Sequence, residues 1–181
     1  GDENARGGCS ARLSENAWAA TCRVSVRAFR LDIAVHTDTV SVSSTGKVDM
    51  LVKMSLARIV IVDSEDEKMS MIVLRELEGE RAFPILIGIH EAYAIDRRMK
   101  GIAVQRPLTH DLIERLIDRL DCQIEQVVIS ELRDSTFFAK LVLRRDGELI
   151  EVDSRPSDAI AVGAGTSIPI FVDESVLKEV C

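Results

Sequence analysis

Aromatic side chains are scarce: one Trp, one Tyr and five Phe in 181 residues. Proteins that read single strands by stacking bases need aromatic platforms, so any nucleic acid bound here would be contacted through its backbone. The four cysteines (Cys9, Cys22, Cys122 and Cys181) are scattered and form no Cys-x-x-Cys pair, which excludes a structural zinc knuckle and a dense disulfide framework. A reducing cytoplasm is the expected setting. No uninterrupted apolar run approaches the ~20 residues of a spanning helix, so no membrane segment is expected. The N-terminus lacks the basic flank, apolar stretch and small-residue cleavage site of a secretory signal. Also missing are a Walker glycine loop, a dinucleotide fingerprint, a serine-nucleophile elbow and a paired-His zincin motif.

What is present is the composition of a globular chain, 46% apolar and 29% charged. The net charge is −7, and all of it falls in residues 50–181, where 17 Lys and Arg face 24 Asp and Glu. Duplex affinity arises largely from basic side chains displacing counterions. An acidic domain therefore binds duplex weakly unless its cations cluster or metal ions intervene. Residues 1–49 differ in character, being richer in Ser, Thr, Ala and Gly and electrically balanced. They read as an extension, with a hairpin expected from 29–35 and 39–43, and Met50 stands as an expected natural start.

The densest chemistry lies at Asp153-Ser-Arg-Pro-Ser-Asp-Ala159. Residues 148–153 alternate as a half-buried strand does, and 159–162 is short and apolar. Pro156 fixes φ near the helical value and lacks an N–H that a first turn leaves unpaired, so a helix starts there. A helix start attracts anions, and Arg155 adds a bidentate phosphate donor. Asp153 and Asp158 are oxygen ligands for a divalent cation. An equally local reading makes Ser154 or Ser157 a cap, Asp158 a dipole partner and Arg155 a mate for Asp153.

Arg106-Pro-Leu-Thr-His-Asp111 repeats the device: Arg-Pro, a hydroxyl and an acid at a helix mouth. In chain order, His90-Glu-Ala-Tyr-Ala-Ile95, Arg106-Pro-Leu-Thr-His-Asp-Leu112, Asp153-Ser-Arg-Pro-Ser-Asp-Ala-Ile160 and Pro169-Ile-Phe-Val172 resemble the bifunctional nuclease domain family over about residues 51–180. The resemblance implies DNase and RNase activity, with DNA and RNA as substrates; fold membership alone does not establish chemistry.

The remaining pattern predicts an α+β fold: a mixed, largely antiparallel sheet with three to four helices packed on it. Strands are expected at 51–62, 69–77, 81–89 (with Pro84 marking an edge or bulge), 124–132, 136–144, 148–153 and 168–172. Asp146-Gly147 is a strong hairpin signal, and the acidic run 63–67 suits a solvated turn. Helices are expected at 91–100, stopped by Gly101, and from an N-cap at Thr109 through Leu120. In the latter, Leu112, Ile113, Leu116, Ile117 and Leu120 form one apolar stripe. Gly163 and Gly165 end the third helix early, where the resemblance implies a longer one, and Asp173 caps a last helix through residue 180.

Phosphodiester hydrolysis needs an activated water, neutralised phosphoryl charge and help for the leaving oxygen. Asp153 and Asp158, with Asp111 or Glu91, would ligate Mg²⁺ or Mn²⁺. His110 or His90 would serve as base or acid, and Arg155 with Arg106 would clamp phosphate beside Thr109 and Ser157. Each residue also has a structural reading: His90 bonded to a carbonyl, His110 neutral in a first turn, Glu91 favouring its helix dipole, Tyr93 packed. The sequence thus leaves open a metal-assisted nuclease, a non-catalytic anion- or nucleotide-binding module, and an oligomeric assembly in which both junctions are braces. Self-association through a sheet edge or an apolar helix face is expected. Every catalytic assignment requires the two Arg-Pro junctions to meet in space.

Overall fold

A computed structural model describes residues 50–63 and 68–181; the expected hairpin at 29–43 and the turn residues 64–67 lie outside them. The elements in order are β1 (Leu51–Asp63), β2 (Lys68–Glu76), β3 (Ala82–Ile87), α1 (Ile89–Met99), α2 (Thr109–Arg119), β4 (Gln123–Arg133), β5 (Thr136–Arg145), β6 (Glu148–Ser154), α3 (Pro156–Gly163), β7 (Ile170–Asp173) and α4 (Glu174–Val180). The seven strands form one sheet in the order β3-β2-β1-β7-β4-β5-β6. Two antiparallel meanders, β1-β2-β3 and β4-β5-β6, are joined by β7, which is antiparallel to β1 and parallel to β4. The fold is the α+β architecture that the pattern predicts, with four helices on a mixed, mostly antiparallel sheet.

β-branched and large apolar residues alternate along the strands and meet in one core, in which Ile72, Leu74, Ile129 and Val172 are fully buried. Phe83 on β3 stacks on Phe137 of β5 at 5.6 Å between ring centroids, although those strands lie five places apart in the sheet. The sheet is therefore strongly curled, in the sense that strand twist favours. Pro84 is tolerated because β3 is an edge strand with no second neighbour demanding its missing N–H.

Several local expectations are corrected. β3 ends at Ile87 and α1 begins at Ile89, so His90 lies in a first helical turn instead of at a strand end. The N-cap of α2 is Leu108, not Thr109. Thr109 is the first helical residue because the Asp111 carboxylate reaches back to accept the Leu108 N–H at 2.9 Å, doing what a capping hydroxyl would otherwise do. Neither serine caps α3; its N-cap is Arg155 and Ser157 is buried. The last strand is Ile170–Asp173, shorter than 168–172 predicts at its start and one residue longer at its end. Asp173 caps α4 as expected, accepting the Ser175 N–H at 2.8 Å. Tyr93 is 49% exposed and not packed.

Helices α1 and α3 pack together. Glu91 and Arg155 meet at their first turns, while Arg98 donates to the Val162 carbonyl at their last, so the two helices run side by side in the same direction. Gly165 secures the second contact: its φ is +86°, and a Cβ there would come within 2.8 Å of the Arg98 carbonyl oxygen. Only glycine combines that backbone conformation with so close an approach.

Candidate active site at the mouths of three helices

The two Arg-Pro junctions do meet. Arg155, the last residue before α3, donates through Nε to Asp158 Oδ2 at 2.8 Å and through one terminal nitrogen to Asp158 Oδ1 at 3.1 Å and Glu91 Oε1 at 2.8 Å. His110, in the first turn of α2, sets its Nε2 3.5 Å from Asp158 Oδ1, across 48 residues of sequence. Glu91, His110, Arg155 and Asp158 thus form one cluster, each contributed by the opening of a helix. Pro156 fixes the chain there, so Arg155 leaves the sheet extended and Asp158 turns back toward it.

The cluster combines a graded accessibility with paired charge. Burial of Asp158 opposes its ionised form, but the hydrogen bonds and charge of Arg155, aided by His110, outweigh it and hold the carboxyl below its ordinary value. Asp158 is therefore anionic at neutral pH and orients both the guanidinium and the imidazole. The Arg155 side chain is 66% exposed, against 18% for Glu91 and 15% for His110. A phosphate can reach the outer edge of the guanidinium without entering the core, and a mostly buried imidazole lies beside it.

Other expected site residues fall elsewhere. Asp111 turns away from His110 into a buried brace, accepting from Arg97 at 2.7 and 2.8 Å and also from Arg98, which in turn bonds Glu114 at 2.8 Å. Asp153 is exposed on β6, opposite Lys140 in the strand register, and joins no metal-ligand cluster among the described residues. His90, Arg106 and Thr109 are exposed, while Ser157 is buried in the first turn of α3. The sequence marks Arg97 and Arg98 only as adjacent arginines in a last helical turn, which does not single them out as partners of Asp111.

Among the described residues no three His, Cys, Asp or Glu side chains converge as a metal-ligand set. Arg155 already bonds both Asp158 oxygens and Glu91, so a cation there would face a fixed positive charge. The donor set as it stands does not fit Mg²⁺ or Mn²⁺, which take several oxygen ligands in near-octahedral array.

A family profile described as Bifunctional nuclease domain matches residues 72–181, covering all three helix mouths. The chain belongs to the bifunctional nuclease domain family. An uncharacterized protein of Mycobacterium tuberculosis is 40% identical over 115 residues, 64% of this chain and 68% of that protein. Bifunctional nuclease 2 of Oryza sativa subsp. japonica is 28% identical over 109 residues, 58% of this chain and 34% of its own length. Bifunctional nuclease 1 of Arabidopsis thaliana is 26% identical over 107 residues, 57% and 33% respectively. The matched part of the chain thus spans about a third of the plant nucleases. No helix among the described residues is long and apolar enough to cross a membrane.

Proposed function

We propose that this bifunctional-nuclease domain hydrolyses phosphodiester bonds of DNA and RNA with little sequence preference, and that the reaction takes place at Glu91, His110, Arg155 and Asp158. The observation that supports this most is the contact between His110 and Asp158, bridged to Glu91 by Arg155. It joins an acid–base group, an orienting carboxylate and a phosphate donor from three helix openings.

In this reading Arg155 exchanges part of its bonding to Glu91 for a phosphoryl oxygen, which its exposed guanidinium permits. The positive ends of α1, α2 and α3 reinforce the attraction for the anion. His110, held by Asp158, takes a proton from the attacking water or delivers one to the leaving oxygen. A separation of 3.5 Å is long for a hydrogen bond, but such contacts commonly tighten when substrate binds. Exposed Arg106 and Thr109, at the adjacent mouth, are suited to the neighbouring phosphate. The scarcity of aromatics favours backbone contact over base stacking, and exposed Arg155 and Arg106 supply local positive charge against the net acidic balance.

The test is cleavage of end-labelled single- and double-stranded DNA and RNA by the full chain with Mg²⁺, Mn²⁺ or chelator, beside His110→Ala and Asp158→Asn purified identically. Loss of acid–base help lowers the rate by ~10²-fold or more, and both variants are expected to show it with unchanged circular dichroism. Equal cleavage by wild type and variants would sink the assignment. Binding of oligonucleotide without turnover would support the anion-binding module instead. Activity that survives chelator would remove the metal from the reaction.

A further inference from the structure

The outer face of α2 exposes four leucines, Leu108 at 50%, Leu112 at 52%, Leu116 at 51% and Leu120 at 60%. Their spacing of four places them on a single ridge along the helix. The expected single stripe is in fact split: Ile117 is buried and Ile113 packs against the core, while the leucines face solvent. Exposed Ile102 and Val104 precede the helix, and exposed Arg115, Asp118 and Arg119 border the ridge.

We propose that a second copy of this chain covers that ridge, with the two α2 helices packed antiparallel about a two-fold axis. The leucine row reads the same in both directions. A two-fold axis across its midpoint sets Leu108 opposite the partner's Leu120 and Leu112 opposite the partner's Leu116. That is the self-complementarity an isologous interface requires. Rows spaced by four interdigitate at a crossing angle of about −50°, the commonest helix-packing class.

The area is adequate. Four half-exposed leucines present on the order of 400 Å², comparable with the largest apolar patch a monomer usually leaves in water. Two such ridges with the bordering aliphatic stems bury on the order of 1,000 Å² in total, the lower bound for a specific interface. The bordering charges supply the polar rim such interfaces carry. His110 and Asp111 point from α2 toward α3 and α1, away from the ridge, so dimerisation leaves the helix-mouth cluster open. The dimer does not depend on the nuclease reading.

Sedimentation of the full chain at micromolar concentration is expected to give twice the chain mass, and Leu112→Glu with Leu116→Glu to halve it while retaining native circular dichroism. In a background of Cys9→Ser, Cys22→Ser and Cys181→Ser, a short bismaleimide should join a mixture of Leu108→Cys and Leu120→Cys chains, and neither variant alone. This second measurement decides if the double glutamate variant fails to fold. A monomeric wild type would overturn the proposal and leave the ridge to residues 1–49 or to an unlike partner. A dimer that persists in the glutamate variant would assign association to another surface, such as the β6 edge. Cross-linking of Leu108→Cys alone would exclude the antiparallel arrangement.

Discussion

Asp111 accepts hydrogen bonds from Arg97, Arg98 and the Leu108 N–H, tying the end of α1 to the start of α2. Its burial would raise the carboxyl pKa, but the bonds from Arg97, Leu108 and Arg98 dominate and hold it at about 2, against an ordinary value of 3.8. A depressed carboxylate contributes stability that is complete above its unfolded value and is lost as pH falls through its folded one. Denaturant midpoints should therefore drop between pH 3.8 and about 2, and Asp111→Asn should remove that part of the acid response. At neutral pH the same substitution leaves two largely buried guanidinium groups short of charge and is expected to cost about 3 kcal/mol, read by urea unfolding. A loss below ~0.5 kcal/mol, the range of an ordinary surface change, would show that Arg97 and Arg98 find other partners. His110, one residue away, serves a different contact because successive helical side chains point about 100° apart.

Between β4 and β5 the turn residues Asp134 and Ser135 both adopt positive φ, 49° and 61°, the conformation of a type I′ hairpin turn. Asp tolerates it; Ser does so at a cost, since the left-handed region crowds a Cβ. Ser135→Gly should raise stability by ~0.5–1 kcal/mol, and an unchanged or lower thermal midpoint would contradict the strain argument. The following turn was legible in advance because Asp146-Gly147 carries the residues the same geometry prefers, with φ of 51° and 86°. Asp134-Ser135 revealed only a polar break. In α2 the periodicity likewise identified a helix but not its orientation. Leucine and isoleucine are interchangeable in a hydrophobicity pattern, and the buried side is fixed by Asp111 and His110, polar residues that bind inward.

Across the molecule, the C-terminal segment closes the sheet. β7 is four residues long yet occupies the central position between the meanders, with Val172 fully buried against Val52 and Ile129 in register. α4 then inserts Val176 and Leu177, at 1% and 0% exposure, into the core. Arg81, beside β3, bonds Glu174 at 3.0 Å and also holds Glu76, linking one sheet edge to that helix. Leu177→Ala is expected to cost about 2–5 kcal/mol through lost burial and the cavity left behind. A urea midpoint within error of wild type would show that α4 is dispensable to the core.

The sequence by itself determined the types of element, the hairpin turns and the three helix openings that carry the polar residues. These are local matters, set by side-chain period, by φ fixed at Pro156 and by short-range capping. It also carried enough ordered motifs for the family. The tertiary structure alone decided which openings share a site, because His110 and Asp158 are brought together only by packing α2 against α3. It decided as well that Asp111 is a brace, that Asp153 stands apart and that the leucines of α2 face outward. Those outcomes depend on contacts between residues far apart in the chain, and no local pattern encodes a distance across the fold.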